Sequence, residues 1–180
     1  IARLANIPAV CAVKNIAGTF EHSVETWRLA GDRIQVNPCL EGPWFRAATE
    51  YPGMGLFLST TSVFLMQAPG YTPVQGYINL TLEGKLQQAR SIRDGLAPLR
   101  ELWQEMYAVY ITADKDRYPF SYHPIAGIKC WEDYLGMHGG PVKPPTISWS
   151  QEQKEWLWKR LDGTPLAAYA PSRLTTKAKR

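Results

Sequence analysis

Cysteine and histidine are scarce in this chain and poorly spaced for metal. Three cysteines (Cys11, Cys39, Cys130) and three histidines (His22, His123, His138) stand among 180 residues, with no Cys-x-x-Cys or His-x-x-x-His pair. That spacing provides neither a zinc knuckle nor a disulfide framework, so no metal site is expected. An odd number of separated thiols fits a reducing compartment, and the cytoplasm is the expected location. Long apolar runs are missing too. The stretch from Gly53 to Met66 is broken by Ser59-Thr-Thr-Ser62 and is too short to span a bilayer, and no stretch has the pattern of a signal peptide, so no membrane partner is expected. No Gly-x-Gly-x-x-Gly follows an apolar run, which removes the dinucleotide-binding signature. Basic residues form no stripe interleaved with aromatics, and part of the net charge of +4 sits in the tail Arg173, Lys177, Lys179, Arg180. A nucleic-acid partner is therefore not expected.

What remains is ordinary globular material, with 45% hydrophobic and 20% charged residues, enough to bury a core. The first residue is Ile1, and an apolar run begins within a few positions. The chain is thus expected to be a fragment, or the ordered part of something longer.

The first seventy residues read as alternating strands and helices. Ala9–Val13 is the first expected strand, His22–Ala30 a helix, Arg33–Val36 a second strand ended by Asn37-Pro38, and Leu40–Tyr51 a helix stopped by Pro52-Gly53. Gly55–Leu58 is expected as a third strand. Strands separated by helices imply parallel pairing, because a parallel connection needs a crossover. From about Tyr71 the pattern turns helical. Leu82, Leu86, Ala89 and Arg93 recur at helical spacing, as do Leu96, Leu99, Trp103, Met106 and Tyr110. A further helix is expected over Ile125–Met137, closed by Gly139-Gly140, and Ser150 with Gln153 predicts a capping box for a last helix.

The residue with the sharpest chemistry is Lys14. It ends the run Pro8-Ala-Val-Cys-Ala-Val-Lys14, and the small turn Asn15-Ile-Ala-Gly18-Thr follows. An ammonium buried among apolar neighbours loses solvation, which favours a neutral amine able to attack a ketone. The simpler reading is a strand-end lysine that reaches solvent.

The segment Ile7-Pro-Ala-Val-Cys-Ala-Val-Lys14-Asn15-Ile-Ala-Gly18 resembles the strand-six motif apolar-Gly-Ile-Lys-Asp/Glu-x-x-Gly of the dihydrodipicolinate synthase / N-acetylneuraminate lyase family, with Asn15 where an acid is commoner. Leu82-x-Gly84, Ala89 and Leu96-x-Pro98-Leu99 resemble that family's helix after the barrel. Ile128-Lys129 and Gly139-Gly140-Pro-Val-Lys143-Pro144-Pro145 resemble its Lys-containing helix and Gly-x-Val-Arg-x-Pro segment, with Lys143 replacing Arg. The resemblance implies an α/β fold: about strands six to eight of a (β/α)8 TIM barrel over residues 1–70, then the last barrel helix and a C-terminal helical bundle over 71–165, with a basic tail at 166–180.

It also implies function. Lys14 would be the catalytic Schiff-base lysine of a class I lyase (aldolase) that cleaves or condenses a 2-oxo acid such as pyruvate, with no cofactor. A hydratase-aldolase on aromatic 2-oxo-3-enoates, to which Trp44 points, or a 2-keto-3-deoxy sugar-acid dehydratase would use the same imine. Gly18, the Asn37-Pro38-Cys39 turn through Cys39, and Phe57 and Ser59 at the strand-eight end would contact substrate, with Thr60 a weaker candidate. The proton-shuttling tyrosine and the carboxylate-gripping turn would lie in a missing N-terminal half of the same protein, and Tyr51, Tyr107 and Tyr110 do not fit the first role by spacing. The 180 residues alone are then expected to be catalytically incompetent. A dimer or tetramer is expected, with Trp103, Tyr107, Trp156 and Trp158 supplying apolar contact faces. The non-enzyme alternative is an inactive scaffold that keeps the fold.

Overall fold

The apolar run before Lys14 delivers only a short strand. In the computed structural model, which describes residues 1–16, 19–55, 63–108 and 124–171, β1 spans Ala12–Asn15. Pro8 cannot donate to a ladder, and the chain turns there, with the Val10 amide donating to the Ile7 carbonyl at 2.9 Å. β2 spans Gln35–Pro38 and runs parallel to β1, pairing Ala12 with Gln35, Val13 with Val36, Lys14 with Asn37 and Asn15 with Pro38. The second strand thus lies two residues later than the hydrophobic pattern predicts. Its proline falls on the last ladder position, where a missing N–H costs least.

The crossover is α1, Phe20–Ala30, which starts two residues before the expected position because Thr19 caps it: the Thr19 hydroxyl accepts from the His22 amide at 3.3 Å. α2, Glu41–Glu50, follows β2 and is stopped before Pro52.

The remaining helices are α3 (Pro73–Leu82), α4 (Leu86–Asp94), α5 (Ala97–Tyr107), α6 (Ile125–Tyr134) and α7 (Gln151–Leu161). The described residues therefore form seven α-helices and one two-stranded parallel sheet. This corrects the expected barrel: a mostly helical chain with two strands is not the end of a (β/α)8 barrel followed by a helical bundle. The physical reason lies in strand length and number. Each strand is four residues long, and two such strands cannot curve into a closed cylinder, which takes eight tilted, staggered strands. The expected third strand, Gly55–Leu58, falls at residues 56–58 outside the described residues.

Two helix boundaries also depart from periodicity. The 82–93 pattern reads as one helix, but the chain breaks at Gly84, whose φ of +76° ends α3. The Lys85 amide returns to the Leu80 carbonyl at 2.8 Å and the Gly84 amide to Thr81 at 3.1 Å, the bonding of a Schellman cap. The same cap ends α6 at Gly136 rather than at Gly139-Gly140, with Met137 donating to Glu132 at 2.9 Å. The capping box at Ser150 and Gln153 is present as expected.

The chain divides into two units, residues 1–63 with 76–90, and residues 64–75 with 91–180. In the first, Val24, Val36, Ala47 and Met54 form a core against which Val13, Phe20, Trp27 and Tyr51 pack, and a smaller cluster gathers Ala5, Ala30 and Ile34. Trp44, fully buried, lies against Phe45 and Tyr77, and the Tyr77 hydroxyl donates to the Glu41 carboxylate at 3.0 Å. In the second unit, Leu99, Met106, Ile128, Trp131, Leu157 and Leu161 are buried where α5, α6 and α7 meet. Tyr134 donates to Asp162 at 3.0 Å and the Trp158 indole to the Cys130 carbonyl at 3.0 Å, tying α6 to the α7 region.

Candidate functional site

Alternation along β1 decides where Lys14 goes. Val13 packs against both apolar clusters of the first unit, so its neighbour faces the other way. Lys14 is exposed. The desolvated amine expected inside a closed cylinder is therefore not found: among the described residues β1 has β2 as its one partner, and no second layer of strands covers the lysine.

Around it, the carboxyl ends of both strands come together. Lys14 is in register with the fully buried Asn37, and the Asn15 carbonyl accepts from the Cys39 amide at 3.3 Å. The Asn15 side-chain amide approaches the His22 ring at 3.5 Å. Cys39 is fully buried. Burial pushes its thiol up from the ordinary cysteine range, and the positive charge of Lys14 offsets part of that rise. A hollow of about 30 Å³, lined among others by Asn15, Thr19, Ser23, Pro38 and Leu40, opens at this edge. It has room for about one water-sized group, such as a single carboxylate oxygen. The N-termini of α1 and α2 follow these strand ends, and helix N-termini favour negative charge.

Of the residues read from the sequence, the structure thus brings Lys14 and Cys39 to one edge. Gly18, Phe57, Ser59 and Thr60 lie outside the described residues, as does Tyr110. Trp44 belongs to the core, its indole donating to the Gly55 carbonyl at 3.3 Å, and it lines no part of this edge. Tyr51 packs against Phe20 and Trp27, and Tyr107 against Trp103. Trp103 also meets Trp131, while Trp156 is half-buried and Trp158 exposed. Sequence reasoning missed Thr19 and His22, although a threonine just before an apolar-periodic stretch is a capping signal.

A second group of polar side chains gathers in the second unit. On α6, Lys129 and Asp133 lie one turn apart and hold the same residue: the Lys129 ammonium donates to the Gly139 carbonyl, and the Asp133 carboxylate accepts from the Gly139 amide at 2.9 Å. Gly139 sits directly on the α6 backbone, where a Cβ would come within 2.2 Å of the Lys129 carbonyl oxygen. The Ile128-Lys129 and Gly139-Gly140 motifs, read from the sequence only as a resemblance, are thus one physical contact. Beside it lies a cavity of about 370 Å³ whose lining includes Lys129, Cys130, His138, Trp149 and Lys154.

Among the described residues no three His, Cys, Asp or Glu side chains are grouped to hold a metal ion, and no helix is long and apolar enough to cross a membrane. The three cysteines are free thiols. Compared with family models, with curated proteins and with solved structures, the chain matches none.

Proposed function

We infer that the chain acts as a Schiff-base-forming lyase on a 2-oxo acid such as pyruvate, with Lys14 as the amine. One observation carries this reading: Lys14 stands at the carboxyl edge of a parallel strand–helix–strand unit, in register with Asn37. In larger open parallel sheets ligands bind outside the carboxyl ends of the strands, at the point where the strand order reverses. An exposed amine there is reachable by a small ketone, and the N-termini of α1 and α2, which follow the two strands in the chain, suit the carboxylate of a 2-oxo acid. The Lys14 nitrogen attacks the keto carbon, the carbonyl oxygen leaves as water, and the resulting protonated imine withdraws the electron pair of the adjacent bond as it breaks. The chemistry needs no metal and no redox cofactor.

The same reading sets the protein in the cytoplasm, supported by three unpaired thiols, and in a homodimer or homotetramer, supported by the exposed Trp158 and half-buried Trp156 on α7. Light scattering at micromolar protein reads the assembly, and a monomer there removes that part.

A second reading has its own support. The exposure of Lys14 fits a non-catalytic protein that keeps a strand-end lysine for solubility. Borohydride reduction in the presence of pyruvate separates the two. A lyase yields one stable adduct, mapped to the Lys14 peptide and lost in Lys14→Arg. No adduct, or labelling spread evenly over surface lysines, overturns the Schiff-base reading.

A further inference from the structure

We propose that the cavity between α6 and the chain segment 138–149 is a binding site for a small planar anion of the aromatic carboxylate class. This site lies in the second unit and does not rest on the reading of Lys14.

Three features of the lining point there. The first is construction. Lys129 and Asp133 grip both polar groups of the Gly139 peptide, so the segment forming one wall is fastened to α6 rather than lying loose over it. The second is charge. Lys129 and Asp133 are both committed to that grip and offset each other in charge, so Lys154, from α7, leaves the lining net positive, and His138 is exposed. Cys130 forms part of the buried floor. Burial pushes its thiol up to about 12, so it stays neutral and adds no charge to repel an anion. The third is shape. The Trp149 ring is braced on one edge by Gly127, where a Cβ would meet the ring at 2.9 Å, and it contributes aromatic surface to the lining. A volume of about 370 Å³ lies within the range of small-ligand sites, of order 300–1,000 Å³.

A cation gains nothing from a net positive lining. A bare inorganic anion leaves the aromatic part of the lining unused. A flat ring carrying a carboxylate uses both.

The test is a titration of the protein with benzoate, read by tryptophan fluorescence and by calorimetry. Benzylamine (same ring, opposite charge), cyclohexanecarboxylate (same charge, no flat face) and inorganic phosphate serve as comparison probes. Benzoate is expected to saturate with a dissociation constant of the order of 1 mM, as befits so small a ligand, and each comparison probe to bind more weakly by about tenfold. Lys154→Gln is expected to weaken benzoate by about tenfold, and Lys154→Arg to restore most of the binding. Lys14→Arg is expected to leave it unchanged, which distinguishes this site from the strand edge. Should Lys154→Gln not fold, Trp149→Leu, which removes the aromatic surface while keeping apolar bulk, carries the same expectation. Absence of saturable benzoate binding, equal binding of benzylamine, phosphate binding as tightly as benzoate, or a Lys154→Gln variant with unchanged benzoate affinity overturns the proposal.

Discussion

Gly139→Ala is expected to destabilise the second unit by about 3 kcal/mol, and the sign is not obvious in advance. Alanine in place of glycine restricts the unfolded chain, which favours folding by about 0.4–1 kcal/mol where the native backbone accepts it. Here the backbone angles are not the obstacle, because Gly139 is not among the glycines with positive φ. The obstacle is distance. The new Cβ would stand 2.2 Å from the Lys129 carbonyl oxygen, 2.7 Å from its carbonyl carbon and 2.9 Å from its Cα, all backbone of α6 that cannot swing aside. Relieving such overpacking costs about 1–3 kcal/mol. The shift also pulls the Gly139 peptide away from the Lys129 ammonium and the Asp133 carboxylate, and a hydrogen bond to a charged group contributes about 1.5–3 kcal/mol. The unfavourable terms therefore exceed the gain by several-fold. Urea unfolding of wild type and variant, with equal slopes, gives the difference directly. Gly84→Ala is the control: it meets nothing within 4 Å and carries only the strain of a φ of +76°, about 1 kcal/mol. If Gly139→Ala were as stable as wild type, or lost less than Gly84→Ala, Gly139 would not be seated on α6 as described.

Other outcomes follow from burial and capping. With iodoacetamide, Cys11, which is exposed, is expected to react first, while the buried Cys39 and Cys130 react only on unfolding; mass mapping of three equally fast thiols would refute this. Because Cys130 keeps its proton to about 12 when folded and an ordinary thiol releases it near 9.0, its contribution to stability is undiminished below the lower value and falls as pH rises through that window. Urea midpoints at about pH 8 and about pH 10.5 should converge for Cys130→Ala relative to wild type, and an identical fall in both chains would count against it. Trp44→Ala is expected to cost about 3–5 kcal/mol, since a fully buried indole and its hydrogen bond to Gly55 are lost together; a loss below about 1 kcal/mol in the same assay would contradict its core position. Ser150→Ala should remove about 1 kcal/mol by deleting the α7 cap, and helicity by circular dichroism should show no change elsewhere.

Much of the local structure was legible without coordinates. The alternation of an apolar run, a helix and a second apolar run predicts a parallel pair, and β1, α1 and β2 form one. Ser150 and Gln153 announce the start of α7 because a capping box is encoded in two side chains three residues apart. Boundaries set by backbone conformation were harder to read. Leu82 and Leu86 keep helical spacing across Gly84, yet the chain turns there, since periodicity records which side chains are apolar and not where φ changes sign.

The sequence by itself determined the α7 capping box, the parallel crossover and the scarcity of cysteine and histidine, because each depends on side chains close together along the chain. Tertiary structure alone decided that the described strands number two and form no barrel, and that Lys14 is exposed while Cys39 beside it is buried. It alone also joined Lys129 and Asp133 to Gly139 beside a cavity. Burial and close approach arise between segments distant in sequence, and the distance between such segments is a property of the packed chain.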